Sequence, residues 1–438
     1  MGYHDSAVFP ARGTQLWHRP DGFQALAPAL KSRGNSWFLL AAYIFFLPVQ
    51  LDYGEMRLSP ADLFLFVSLW VGISKVRLVR PAWSVFHGAL AVVFFVGTWK
   101  TAMADGSLSN YVLINKDIGL LILFLTYSVI TTAATDWPSI RRMLQVLIAT
   151  VTLQTLLAVS AYFATQLFDM RISGVNYGGQ RVSGMLIDPN AFGSLVMVTL
   201  VIHLSTYFSR RPLVRHALGA FCMMILALGL LLTLSRSAWI GFVFALLISL
   251  PFRPRLAAAY AGLAALAAVS LFLVLSPRQI GDILELASRA NTAKERVTQI
   301  REAVPMFEKS PLVGIGLGQF ESRLMDQGVA FPYIIHDSSV WLLTEFGLLG
   351  LAAFLGLAAA LVGKGVRAFR RASSMERPLV VGLIGAHFGM FGVSFGIEAL
   401  YQRHWWLVMA LLASSYAITR TRVHLPPDAG PACLGARI

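Results

Sequence analysis

The chain alternates apolar stretches of membrane-spanning character with short basic segments, and one long hydrophilic segment interrupts the pattern. A bilayer core of about 30 Å takes roughly 17 to 25 apolar residues as a helix. Spans are expected near Trp37–Gln50, Pro60–Ser74, Trp83–Trp99, Ile118–Ala134, Met143–Phe168 and Ala191–Tyr207. A second set is expected near Ala217–Leu234, Ala238–Leu250, Leu256–Leu275, Ser339–Val362, Leu379–Ile397 and Trp405–Thr419. Charged residues make up only 13% of the 438, too few to coat a water-soluble globule of this size. The expected fold is an all-α integral membrane protein of about 12 transmembrane helices.

Lysine and arginine are retained on the cytoplasmic side of a membrane. With twelve spans the termini share a side, and the segments on that side hold 22 of the 36 basic residues. Half of the remaining 14 fall in the one long loop. Both termini are therefore expected in the cytoplasm and the hydrophilic segment outside it. The chain divides into a polar arm (1–35), nine spans (36–275), a periplasmic loop (276–338), three spans (339–419) and a cytoplasmic tail (420–438). On this reading the net charge of +14 is mostly topological signal and attraction to anionic membrane lipids, not a nucleic-acid surface. Cys222 in a span and Cys433 in the tail cannot build an external disulfide framework. Outside the cytoplasm there is no ATP and no nucleotide sugar, so chemistry at the long loop needs a substrate that arrives activated.

Three short outer connections carry arginine against the charge rule. Arg181 shortly precedes Asp188-Pro189-Asn190, which should open a span. Arg236 sits in Leu234-Ser235-Arg236-Ser237, a turn so short that the guanidinium must lie at the lip of two helices. Arg403, with His404, occupies another such turn after Glu398. Taken singly, each reads first as a snorkelling anchor or a structural ion pair. Together they place several planar forks of donors at one membrane face, an arrangement suited to the oxygens of a diphosphate.

The long loop has its own pattern. Lys294 to Phe307 reads as an amphipathic helix, with Val297, Ile300, Val304 and Phe307 on one stripe and Lys294, Glu295, Arg301 and Glu302 elsewhere. Such a helix fits the membrane surface, where it would cover a cavity. Next come Gly314, Gly316 and Gly318; no strand precedes them and they face the nucleotide-free side, so a tight turn is expected. His336 closes the loop just before a span. A neutral imidazole there can take the proton of an attacking hydroxyl; the competing reading is a histidine bonded to a loop carbonyl. His87, His203 and His387 lie within spans and fit packing or helix-to-helix bonding. No metal-ligand spacing and no Ser-x-x-Lys or Gly-x-Ser-x-Gly nucleophile is present, so neither metal nor cofactor is expected.

Four segments resemble the O-antigen ligase and polymerase superfamily, membrane glycosyltransferases of bacterial surface polysaccharide assembly. They are Arg181-Val-Ser-Gly with Asp188-Pro-Asn190, Leu234-Ser-Arg-Ser237, Pro311-Leu-Val-Gly-Ile-Gly316, and His336-Asp-Ser-Ser-Val-Trp341 followed by Glu345-Phe-Gly-Leu-Leu-Gly350. The resemblance implies a GT-C-like fold in the inner membrane and a donor glycan carried on undecaprenyl diphosphate. It further implies transfer at the periplasmic face to a lipid A-core or a growing polysaccharide, without metal or nucleotide. Arg181 and Arg236 match arginines that bind the diphosphate, and His336 matches an essential histidine. Arg289 and Arg296 are further diphosphate candidates, and Asp337 and Arg403 secondary ones on the acceptor side. The family more often has Asn after the histidine, so the role of Asp337 stays open. In-line attack would invert the anomeric centre. A ligase and a repeat-unit polymerase would use nearly the same site; a single long outer loop leans toward ligase. A secondary transporter also fits twelve spans, but the short connection Ser209–His216 and the lack of an internal repeat speak against it.

Overall fold

The computed structural model describes residues 34–53, 56–73, 83–106, 108–109, 111–176, 181–252, 290–329 and 334–423, with isolated helical positions between 258 and 281. The expected span at Leu256–Leu275 therefore lies outside the described residues. Each of the other predicted spans coincides with a helix. These are α1 (Gly34–Phe46), α2 (Pro60–Ile73), α3 (Val85–Asp105), α4 (Gly119–Ala133), α5 (Trp137–Phe168), α6 (Pro189–Tyr207), α7 (His216–Leu232) and α8 (Arg236–Ser249). In the long loop stand α9 (Ala290–Lys309) and α10 (Gln319–Asp326), followed by α11 (Ser338–Arg371), α12 (Arg377–Ser394) and α13 (Arg403–Val423). Among the described residues, six helical stretches are long and apolar enough to cross a membrane, and four more are apolar but shorter. The chain is a mostly helical, multi-pass membrane protein.

Two local departures from the sequence reading have simple causes. The connection after α1 pairs on itself as β1 (Leu51–Tyr53) and β2 (Met56–Leu58), antiparallel with Leu51 opposite Leu58, which satisfies its own backbone groups. A π-helical segment, Tyr111–Ile118, leads into α4.

Sequence signals set most helix ends. Asp136 caps α5 by accepting from the Ser139 amide at 2.8 Å, and Asp188 caps α6 through the Asn190 amide at 2.8 Å; both helices carry proline in the first turn. The span histidines bond as expected. His203 Nε2 meets the Gly219 carbonyl at 2.9 Å, and Trp405 Nε1 donates to His387 Nδ1 at 2.9 Å.

Small residues bring α12 close to α6 and α8, the way helices associate where lipid removes any hydrophobic drive. Gly382, Gly385, Gly389 and Gly392 line one face of α12. A methyl on Gly392 would lie 2.7 Å from the Gly241 Cα of α8, and one on Gly389 would lie 2.7 Å from Met197 Sδ of α6.

The feature that positions the long loop is a break in α11. Gly347 has φ 67 and ψ −163, a conformation open only to glycine. The break frees backbone groups that a membrane interior cannot hydrate. Residues 311–316 take them up: the Ile315 amide donates to Thr344 O (2.9 Å), Gly316 to Glu345 O (3.0 Å), while Leu348 and Leu349 donate to Pro311 O (2.8 Å) and Leu312 O (3.1 Å). The glycine run is thus a turn, as expected, with Gly314, Gly316 and Gly318 all at positive φ. Its fit is tight, since a methyl on Gly314 would sit 2.2 Å from the Glu345 carbonyl carbon. Beneath the turn, the buried Glu345 carboxylate accepts from the Gly318 amide (3.0 Å) and Trp341 Nε1 (2.8 Å).

Gly241→Ala places a methyl 2.5 Å from the Gly389 carbonyl oxygen and should destabilise the detergent-solubilised protein by about 1–3 kcal/mol through overpacking. Gly88→Ala meets nothing within 4 Å and should leave the thermal midpoint unchanged or slightly raised. A Gly347→Ala chain should lose the 311–316 dock and show faster proteolysis of the long loop than wild type.

Candidate functional site

One end of the bundle gathers the N-termini of α6, α8, α11 and α13 with the C-termini of α7 and α12. Three of the four resemblance segments form this end, and contacts between them place Arg181. Arg181 donates through Nε to the Thr233 carbonyl at 2.7 Å and through Nη2 to Asn190 Oδ1 at 2.9 Å. It therefore joins the start of α6 to the turn before Arg236. That turn carries strain: Leu234 sits at φ 48, a left-handed conformation that costs a branched residue. Ser235 caps α8, its Oγ accepting from the Ala238 amide at 3.3 Å. Arg236 follows as the first residue of α8, half-buried at the helix start.

α9 brings a third arginine to the same place. Its buried stripe is Gln299, Ala303 and Met306, with the half-buried Arg296 leading it. The apolar stripe expected from the sequence is present but turned outward, with Val297, Ile300 and Val304 at 57%, 45% and 46% exposure. Two faces are thus used: one holds the bundle and the other stays apolar and open, as a helix at a membrane surface requires. Arg296 reaches toward Gly396 beside Ser237; a methyl on Gly396 would lie 3.0 Å from Arg296 Nη2 and 2.5 Å from Ser237 Cβ. Burial and the nearby Arg236 push the Arg296 guanidinium below its ordinary value, while Asp337 pulls it back up. Arg296 Nε is buried and has no hydrogen-bond partner among the described residues.

The His336 segment is held from both sides. Gln299 of α9 donates to the Ile334 carbonyl at 3.2 Å, and its Oε1 faces the His336 amide at 3.5 Å. On the other side, Ser338 Oγ donates to Ile397 O at 2.7 Å and accepts from the Ala399 amide at 2.9 Å. His336 itself is exposed, so its imidazole is available to a substrate. Asp337 caps α11, accepting from the amides of Ser339 (2.8 Å) and Val340 (3.1 Å). Asp and Asn cap helices about equally well, which accounts for aspartate where the resembling proteins more often have asparagine.

Not every expected residue joins this group. Arg403 forms a two-pronged ion pair with Asp62 of α2, Nε to Oδ1 at 2.8 Å and Nη2 to Oδ2 at 2.6 Å. This fork is already filled by a carboxylate, so the bland reading of Arg403 as a structural pair describes its geometry. Its neighbour His404 is buried against Ser194 Oγ at 2.9 Å. Arg289 lies outside the described residues. Residues that sequence reasoning passed over stand close by. Lys116 pairs with Glu398 and lies over the rings of Trp341 (5.0 Å) and Tyr401 (4.8 Å), bracing the Ile397–Ala399 turn that holds Ser338. Gln299 was signalled only by its position three residues after Arg296.

No curated protein matches the chain at a significant level. The O-antigen ligase family model matches residues 221–355. That segment holds Arg236, Arg296 and His336 and the whole of the turn docked on Gly347, while Arg181 lies before it. Over that stretch, somewhat less than a third of its length, the chain is similar to the O-antigen ligase family.

Proposed function

We propose that the protein transfers a glycan from undecaprenyl diphosphate to an acceptor hydroxyl at the periplasmic face of the inner membrane, with both termini in the cytoplasm and about twelve spans. The observation that carries this reading is that Arg296 reaches the Gly396 backbone beside Ser237, the residue after Arg236, with its buried Nε donor left without a partner among the described residues. Like charges brought out of water at close range call for an anion, and a diphosphate offers more oxygens than Asp337 does. Arg181 sits against the same turn and adds a third positive charge.

The chemistry then follows. The acceptor oxygen attacks the anomeric carbon opposite the diphosphate, the new glycosidic bond forms as the bond to the diphosphate oxygen breaks, and the centre inverts. His336 takes the hydroxyl proton. The lipid diphosphate leaves with its bonding electrons, and Arg181, Arg236 and Arg296 stabilise the charge that grows on it. No metal or nucleotide is needed for this step. The acceptor we favour is a lipid A-core, which makes the protein an O-antigen ligase.

The test is a surface-polysaccharide profile of a deletion strain complemented with each variant at matched membrane abundance. Arg236→Ala and His336→Ala should each lower transfer by about a hundredfold or more. Lipid-linked long chains that accumulate without reaching lipid A-core mark a ligase; single repeat units alone would mark a polymerase. Wild-type profiles from both variants would sink the assignment. Asp337→Asn keeps the cap and should hold transfer within about threefold. Asp337→Ala loses a cap of about 1 kcal/mol and should lower transfer further. An Asp337→Asn variant as impaired as Asp337→Ala would mean that the charge, not the cap, is what matters.

A further inference from the structure

The end of the bundle opposite the candidate site carries a second basic feature that glycosyl transfer does not use. α6 runs 19 residues from Pro189 to Tyr207, about 28 Å at 1.5 Å per residue, so its two ends lie at opposite membrane faces. Beyond Tyr207 the connection to α7 borders an open recess of about 450 Å³ lined by Tyr207, Ser209, Arg210, Pro212, Arg215 and His216.

Neighbouring arginines at this face have structural partners. Arg141 and Arg211 both reach the buried Glu376, at 3.1 Å and 3.7 Å. Arg210 and Arg215 are exposed and have no carboxylate partner among the described residues. A topological signal needs only positive charge somewhere in the connection; it does not need a shaped recess. Here the shape is enforced. His216 opens α7 at φ 51, a left-handed conformation uncommon outside glycine but tolerated by histidine, and Tyr207 Oη donates to its carbonyl at 3.2 Å. Gly219 lets the walls close, since a methyl there would lie 2.7 Å from Val214 O and 2.8 Å from the Tyr207 ring.

An apolar stripe leads away from this charge. Leu218 and Phe221, three residues apart on α7, are 63% and 47% exposed. Because His216 is the first residue of α7, they run from the recess toward the membrane interior. A positive head site above a lipid-facing stripe matches an amphiphile, not a free ion. We propose that the recess binds an anionic phospholipid of the leaflet at that face. Arg210 and Arg215 contact its phosphate oxygens, and an acyl chain lies along Leu218 and Phe221.

Native mass spectrometry of the intact protein tests this with dioleoyl phosphatidylglycerol, dioleoyl phosphatidylcholine and inorganic phosphate as probes. Wild type should retain the glycerol lipid about tenfold better than the choline lipid. Arg210→Gln with Arg215→Gln should weaken that retention about thirtyfold, from roughly fivefold per basic residue. Arg370→Gln with Arg371→Gln, the same charge removed from the end of α11 at that face, should weaken it less than threefold. Leu218→Gln, which leaves the charge unchanged, should weaken it about tenfold. Equal losses from the two arginine pairs would overturn the proposal in favour of diffuse attraction. Displacement of the lipid by about 10 mM phosphate, or an indifferent Leu218→Gln, would overturn it in favour of a free-anion site. Equal retention of the two lipids would also overturn it.

Discussion

The architecture around the candidate site depends on one backbone constraint: a helix broken inside a membrane must have its freed amides and carbonyls satisfied by protein. Gly347 breaks α11, and the turn at 311–316 supplies four backbone hydrogen bonds across the break. Glycine is required on both sides, because Gly347 needs its φ and Gly314 has no room for a side chain. The long loop is thereby anchored to the bundle at its middle. Its α9 is anchored again through the buried Gln299 and Ala303.

Positioning of the reactive residues follows from that anchor. The part of α11 before the break is a short helix whose start is capped by Asp337 and pinned by Ser338 to the turn at Ile397–Ala399. His336 is the residue just before this cap, so its backbone is fixed while its ring stays exposed. Arg296 arrives from α9, Arg236 from the start of α8, and Arg181 from the connection before α6. Each guanidinium comes from a different element, and that of Arg181 is held by Thr233 O and Asn190 Oδ1. Such preorganisation is what charge stabilisation in transfer chemistry needs.

Much of this was legible in the sequence. Apolar runs located the helices, and Asp188 with the proline after it marked a helix start, because capping chemistry is local; the Asp136-Trp137-Pro138 start of α5 carries the same signal, seven residues before the span expected at Met143. Arg181, Arg236 and His336 stood out because they oppose the charge rule or close a polar loop. What the sequence could not supply was long-range pairing. Nothing local distinguishes Arg403, tied to Asp62 some 341 residues away, from Arg236, whose fork no carboxylate among the described residues fills. The break at Gly347 was hidden within a mostly apolar span, since hydropathy does not register a single positive φ. The outward turn of Val297, Ile300 and Val304 was also hidden, because periodicity gives a stripe but not what the stripe faces.

The most direct measurement of the central claim is binding of undecaprenyl diphosphate and undecaprenyl monophosphate to the purified protein in nanodiscs, for wild type and Arg296→Gln. If Arg236 and Arg296 share a diphosphate, wild type should prefer the diphosphate by at least about tenfold, and the variant should lose most of that preference. Equal affinity of wild type for the two lipids, or an unchanged preference in Arg296→Gln, would contradict the account.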